Sequence, residues 1–99
     1  MHSKFIRGTW RHEGTTPTGE AWYFNYHFAE NSYTIEAYPP FRAKGSYQVA
    51  KEIENLIVLK AYNISGDGDV NDHFLNIGVD VKRQQLTIND RIYKKMKTK

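Results

Sequence analysis

Apolar and polar residues alternate along most of this chain with a period of two. The stretch AWYFNYHF (21–28) is the clearest case, with Trp22, Phe24, Tyr26 and Phe28 on one side and Tyr23, Asn25 and His27 on the other. Successive side chains of a strand point to opposite faces, so this pattern predicts a one-sided strand. SYTIEAY sets Tyr33, Ile35 and Ala37 against Thr34 and Glu36, and FRAKGSYQV sets Phe41, Ala43, Gly45, Tyr47 and Val49 against Arg42, Lys44, Ser46 and Gln48. Pro39 and Pro40 separate these two runs, because proline has no N–H to continue a ladder. In the N-terminal segment SKFIRGTWRHEG, Ile6, Gly8 and Trp10 share a side opposite Arg7, Thr9 and Arg11. HFLNIGVDV and QQLTI contribute Leu75, Ile77, Val79 and Val81, then Leu86 and Ile88, and Asn89-Asp90 before RIYKK reads as a tight hairpin turn. NLIVLKAY is apolar on both faces, as expected of a strand covered on its second side by a neighbour or partner. No stretch keeps an apolar pattern at helical period for three turns.

About eight strands joined by short turns predict an all-β fold, a small antiparallel up-and-down barrel in which sequence neighbours pair. Closure leaves no sheet edge exposed, and an eight-stranded interior is filled by side chains or holds one small ligand. The expected inward set is Ile6, Trp10, Trp22, Phe24, Tyr26, Phe28, Tyr33, Ile35, Tyr47, Val49, Leu75, Ile77, Val79, Leu86 and Ile88. Gly8, without a side chain, is expected to let the first strand bend or let another backbone approach Trp10. Ninety-nine residues without a repeat or a low-complexity linker predict one domain, residues 1–99, with a basic tail from about residue 94.

Two short motifs resemble those of the calycin group. Gly8-Thr9-Trp10 on the first strand is similar to the G-x-W of lipocalins, where the tryptophan plugs the closed end of the barrel. Arg91-Ile92-Tyr93 on the last strand is similar to the R-x-Y of intracellular fatty-acid-binding proteins, whose two side chains hold a ligand carboxylate. EGTTPTGE is expected to be only a turn in place of the helical lid of the fatty-acid-binding proteins, and the three residues of this sequence after Met96 are too few for the C-terminal helix of longer lipocalins. It is most similar in outline to the minimal lipocalin-like domains of bacterial proteins. The resemblance implies a lipocalin-like barrel and a ligand inside it.

Charge and composition narrow the chemistry. The formal net charge is +3, but residues 91–99 carry five of the fourteen Lys and Arg and no acid. The remaining ninety residues set nine positive charges against eleven negative ones, which argues against a nucleic-acid partner. Cysteine is absent, so there is no disulfide framework and no thiol nucleophile. No G-x-S-x-G occurs, and Gly66 and Gly68 precede no helical pattern that would cradle a phosphate. His12, Glu13, His27, Glu36 and His73 show no metal-ligand spacing and read as surface residues. SGDGDVND clusters Asp67, Asp69, Asn71 and Asp72, but Asp72 stands where a calcium loop needs glycine, so the segment reads as a flexible hairpin tip. Without an apolar leader or a long apolar run, the expected location is the cytoplasm.

These readings converge on a non-enzymatic protein without metal or cofactor that binds a small apolar or amphipathic, fatty-acid-like ligand. Trp10, Trp22, Phe24, Tyr26 and Tyr47 are its expected walls, and Arg91 and Tyr93 its polar anchors. Arg91, Tyr93 and Lys95 share a strand face. A guanidinium beside a phenol suits a carboxylate, while the plainer reading of Arg91 is that it stacks over Trp10 and closes the barrel. The alternative is a filled barrel serving as a protein-interaction module through Tyr23, Tyr38, Tyr62 and residues 56–59. A third reading, an OB-like binder of single-stranded nucleic acid, would place bases on tyrosine or tryptophan beside Arg42, Lys44 and the C-terminal lysines.

Overall fold

The structure, a computed structural model, describes residues 5–68 and 70–96. Its elements are β1 (Gly8–Thr15), β2 (Ala21–Phe28), β3 (Ser32–Tyr38), β4 (Phe41–Ile53), β5 (Leu56–Gly66), β6 (His73–Asp80), β7 (Gln85–Ile88) and β8 (Arg91–Lys95), with no helix among the described residues. Each strand pairs antiparallel with the next, and β8 returns to β1 to close the barrel. The connections alternate between two ends. Residues 16–20, 39–40, 67–68, 70–72 and 89–90 lie at the end where β8 starts with Arg91, and the opposite end holds residues 5–7, 29–31, 54–55 and 81–84. We call these the Arg91 end and the Trp10 end.

Local chemistry explains the turns. Asn89 and Asp90 both take positive φ, 48° and 71°, as the expected two-residue hairpin requires. The β4–β5 ladder changes step twice. Between Lys44 and Ser46 the extra residue lies on β5, where Asn63 adopts φ 52°, and between Val49 and Lys51 it lies on β4.

Most of the expected inward set fills the interior: Ile6, Trp10, Tyr26, Phe28, Tyr33, Ile35, Tyr47, Leu75, Ile77, Val79, Leu86 and Ile88 are buried. To these the structure adds Ala37, Ala43, Ile57, Leu59, Ala61 and Tyr93. The doubly apolar β5 resolves into Ile57, Leu59 and Ala61 inside and Leu56, Val58 and Tyr62 outside. Four expectations need correction. Ile6 is buried from a turn that precedes β1, not from the strand itself. Val49 is 44% exposed, because β3 flanks β4 only as far as Ser46 and the rest of β4 continues beyond that wall. Trp22 and Phe24 face inward but are only half-buried, since they approach the Arg91 end. Lys94 and Lys95 are strand residues, not the start of a tail: Lys94 pairs with Gln85 and Arg11, and Lys95 with Trp10.

Candidate functional site

The Trp10 end is closed by side chains. Trp10 is completely buried, its Nε1–H donates to the Ile6 carbonyl at 2.7 Å, and Phe5 lies against it at 5.5 Å between ring centroids. The cation over its indole is Lys95, with Nζ 4.7 Å from the ring centroid, and that ammonium also donates to the Arg7 carbonyl at 2.7 Å. Gly8 makes this possible. Its φ is 117°, and a Cβ there would sit 2.6 Å from Lys95 Nζ. What approaches Trp10 past Gly8 is therefore a side chain rather than a backbone. Tyr47 belongs to this end as well, because its hydroxyl donates to the Ala29 carbonyl at 2.5 Å and its N–H to the Asn31 carbonyl. Trp10 and Tyr47 thus serve closure at this end, with their polar atoms already engaged.

Arg91 does not stack over Trp10. It pairs with Ile88, while Tyr93 pairs with Leu86 and Lys95 with Trp10. The shared face runs the length of β8 and delivers the two cations to opposite ends, with Tyr93 between them.

Aromatic rings line the inner face toward the Arg91 end in a continuous series. Trp22 and His12 are 5.2 Å apart, His12 and Tyr93 5.4 Å, Tyr93 and Tyr26 5.4 Å, Tyr26 and Phe24 5.9 Å, and Phe24 and Phe41 5.8 Å. Gly14 faces Trp22 across the β1–β2 ladder, and a Cβ on it would come 2.5 Å from the indole. The absence of a side chain there lets Trp22 lie across β1. Gly68 similarly overlies Phe41, where a Cβ would sit 2.9 Å from the ring. Its neighbour Asp67 accepts from the Arg42 N–H at 3.0 Å and returns its own N–H to the Arg42 carbonyl at 2.7 Å. Asp67 therefore fastens the start of the β5–β6 connection to β4, while Asp69 of the same segment lies outside the described residues.

The polar groups among these rings are Tyr26, Tyr93 and His12, and Arg91 is exposed at the same end. Burial pushes the Tyr93 phenol up to about 12, partly opposed by the charge of Arg91. Tyr26 rises further, by burial first and then by the neighbouring Tyr93 and Tyr33, again with Arg91 pulling the other way. No described group hydrogen-bonds either hydroxyl. Every fully enclosed side-chain nitrogen and oxygen has a partner, so these two hydroxyls reach accessible space. His12, expected on the surface, lies on the Trp10 face of β1, and its Nδ1 is 3.0 Å from the Ile92 carbonyl across the β1–β8 seam. Extending the Ile6, Gly8, Trp10 alternation by one step would have placed it inside.

The expected anchors Arg91 and Tyr93 thus share one end with Trp22, Phe24 and Tyr26. The expected contact tyrosines do not form one patch. Tyr23 stacks on Tyr38 at 6.2 Å, with Arg11 over Tyr23 at 4.4 Å, whereas Tyr62 joins the row of Ser46 and Ser32 at the far end of β3. That row is about 20 Å from Tyr38 along the strand. Among the described residues no three histidine, aspartate or glutamate side chains group as metal ligands, and no helix is long and apolar enough to cross a membrane. No family profile matches the chain, and no curated protein or solved structure matches it.

Proposed function

We propose that this protein is a lipocalin-like, non-enzymatic carrier of a small amphipathic anion, held at the Arg91 end of the barrel. The observation that carries the reading is a pair of buried phenols without hydrogen-bond partners inside a series of aromatic rings, at the end of the barrel where the exposed Arg91 opens β8. The phenols stay neutral and so remain donors, and the guanidinium supplies the charge. Together they are suited to a carboxylate or sulfonate whose apolar body lies against Trp22, Phe24 and Phe41. The Gly-x-Trp at the other end accounts for closure. The experiment is calorimetric titration with dodecanoate and 2-naphthoate. Binding at one site is expected, and Arg91→Gln should weaken it by about ten- to a hundredfold, the range for a hydrogen bond to a charged group. Equal affinity in the variant, or no binding of either acid to the wild type, overturns the proposal.

A different observation favours a second reading, a protein-interaction module. Ile53, Leu56, Gly78, Thr87 and Ile92 lie in one cross-strand row on the outside of β4 to β8, and Ile53, Leu56 and Ile92 are exposed. Native mass spectrometry of protein purified from cells separates the two. Retained non-protein mass supports the carrier. An empty spectrum, with neither acid binding, leaves the outer row as the working surface.

A further inference from the structure

His12 differs in kind from its polar neighbours. A carbonyl oxygen only accepts, so the contact between His12 Nδ1 and the Ile92 carbonyl at 3.0 Å places a proton on Nδ1. In the neutral imidazole the lone pair is then on Nε2. No described group bonds that nitrogen. The ring is held from both flanks, by Trp22 at 5.2 Å and Tyr93 at 5.4 Å, so its orientation is set before any ligand arrives. Arg91 has no acceptor atom, and phenols that donate to an anion present only weak acceptors, so Nε2 is the strongest neutral acceptor at this end. A cationic donor on the ligand would meet Arg91 as a like charge, so the matching group is a neutral donor, of which a hydroxyl is the simplest.

We propose that His12 is a specificity-determining residue that accepts a hydrogen bond from a ligand hydroxyl through Nε2, so that the occupant is a hydroxylated apolar acid rather than an unsubstituted one. This rests on the anion-carrier reading above, and the test keeps the two separable. Full-length protein labelled with nitrogen-15 is titrated with 2-naphthoate and with 6-hydroxy-2-naphthoate while the imidazole nitrogens are followed by long-range proton–nitrogen NMR. The expected results are an Nδ1–H tautomer in the free protein, about three- to tenfold tighter binding of the hydroxy acid, and an Nε2 shift moved by that acid alone. His12→Phe, which keeps a ring between Trp22 and Tyr93, should abolish the preference, bringing the ratio of the two affinities to about one. Equal affinities in the wild type, an Nε2 resonance indifferent to the hydroxyl, or an Nε2–H tautomer each overturn the role of His12. If Arg91→Gln still weakens both acids in that case, the carrier reading stands. Failure of both acids to bind the wild type overturns the two proposals together.

Discussion

Lys95 decides how one end of the barrel closes. Its ammonium lies over the Trp10 indole and donates to the Arg7 carbonyl, and the passage it uses exists because Gly8 has no Cβ. Lys95→Met keeps most of the stem and removes the charge, so it should forfeit a cation–π contact and a charged hydrogen bond. A loss of about 2 kcal/mol is expected in urea denaturation, with no change in acid binding. Arg91→Gln should do the reverse, leaving the urea midpoint in place while weakening the acid. The pair tests the assignment of the two cations to opposite ends. Equal destabilisation by both substitutions would contradict it. Their separation follows from chain geometry, since four strand residues rise about 13 Å and the register sets Lys95 beside Trp10 and Arg91 beside Ile88.

At the level of elements, the barrel works because each strand has one face that can be buried and the strands differ in where that face ends. On β1 the inner face runs through Trp10 and His12 to Gly14, and across the ladder Trp22 occupies the space that Gly14 leaves. Gly14 is not in the left-handed region, so only its missing Cβ is in use. Gly14→Ala should therefore push the Trp22 indole off β1, at a cost of about 1–3 kcal/mol for overpacking, and shift tryptophan fluorescence toward the red, because Trp10 stays buried and Trp22 alone moves. An unchanged spectrum would show that the indole does not lie where Gly14 permits it. The same strands show what a sequence makes legible. Alternation recovered β2 and β3 from end to end, and paired apolar neighbours implied closure, because burial of one face is written locally. Three things were not local. The exposure of Val49 depends on where β3 stops beside β4, the inner and outer halves of β5 depend on register when both faces are apolar, and the identity of the cation over Trp10 depends on how β1 and β8 align. His12 was legible by alternation but has the composition of a surface residue, and only the seam shows its hydrogen bond.

For the whole molecule, a core built from tyrosines links stability to alkaline pH. Tyr26, Tyr33, Tyr47 and Tyr93 all have raised pKa values, with burial as the first cause in each, and Tyr93 reaches about 12 against an ordinary value of 10.0. Below pH 10 both folded and unfolded chains keep these protons, so the buried phenols add no pH dependence. Between about pH 10 and 12 the unfolded chain gives up protons that Tyr26 and Tyr93 retain in the folded chain, and the equilibrium moves toward unfolding by about 1.4 kcal/mol per pH unit for each of these two, while Tyr33 and Tyr47 act in the same direction. The stabilisation is thus complete below the unfolded value and lost as pH rises through the folded one. Urea denaturation should be flat from pH 8 to 9.5 as far as these groups are concerned, then fall steeply, with the share of tyrosinate absorbance that belongs to the four buried rings, out of seven in the chain, appearing only with the loss of circular dichroism. Tyr93→Phe should reduce that slope by one tyrosine's share. Stability that stays level to pH 12, or ionisation of all seven tyrosines in a chain that remains folded, would mean that these rings are not enclosed as the barrel encloses them. The same enclosure bears on ligand binding. A phenol at its ordinary value is already protonated throughout the physiological range, and burial of Tyr26 and Tyr93 carries that state into alkaline conditions, so under the carrier reading both hydroxyls should remain donors, and acid binding persist, at a pH where a free phenol would have ionised.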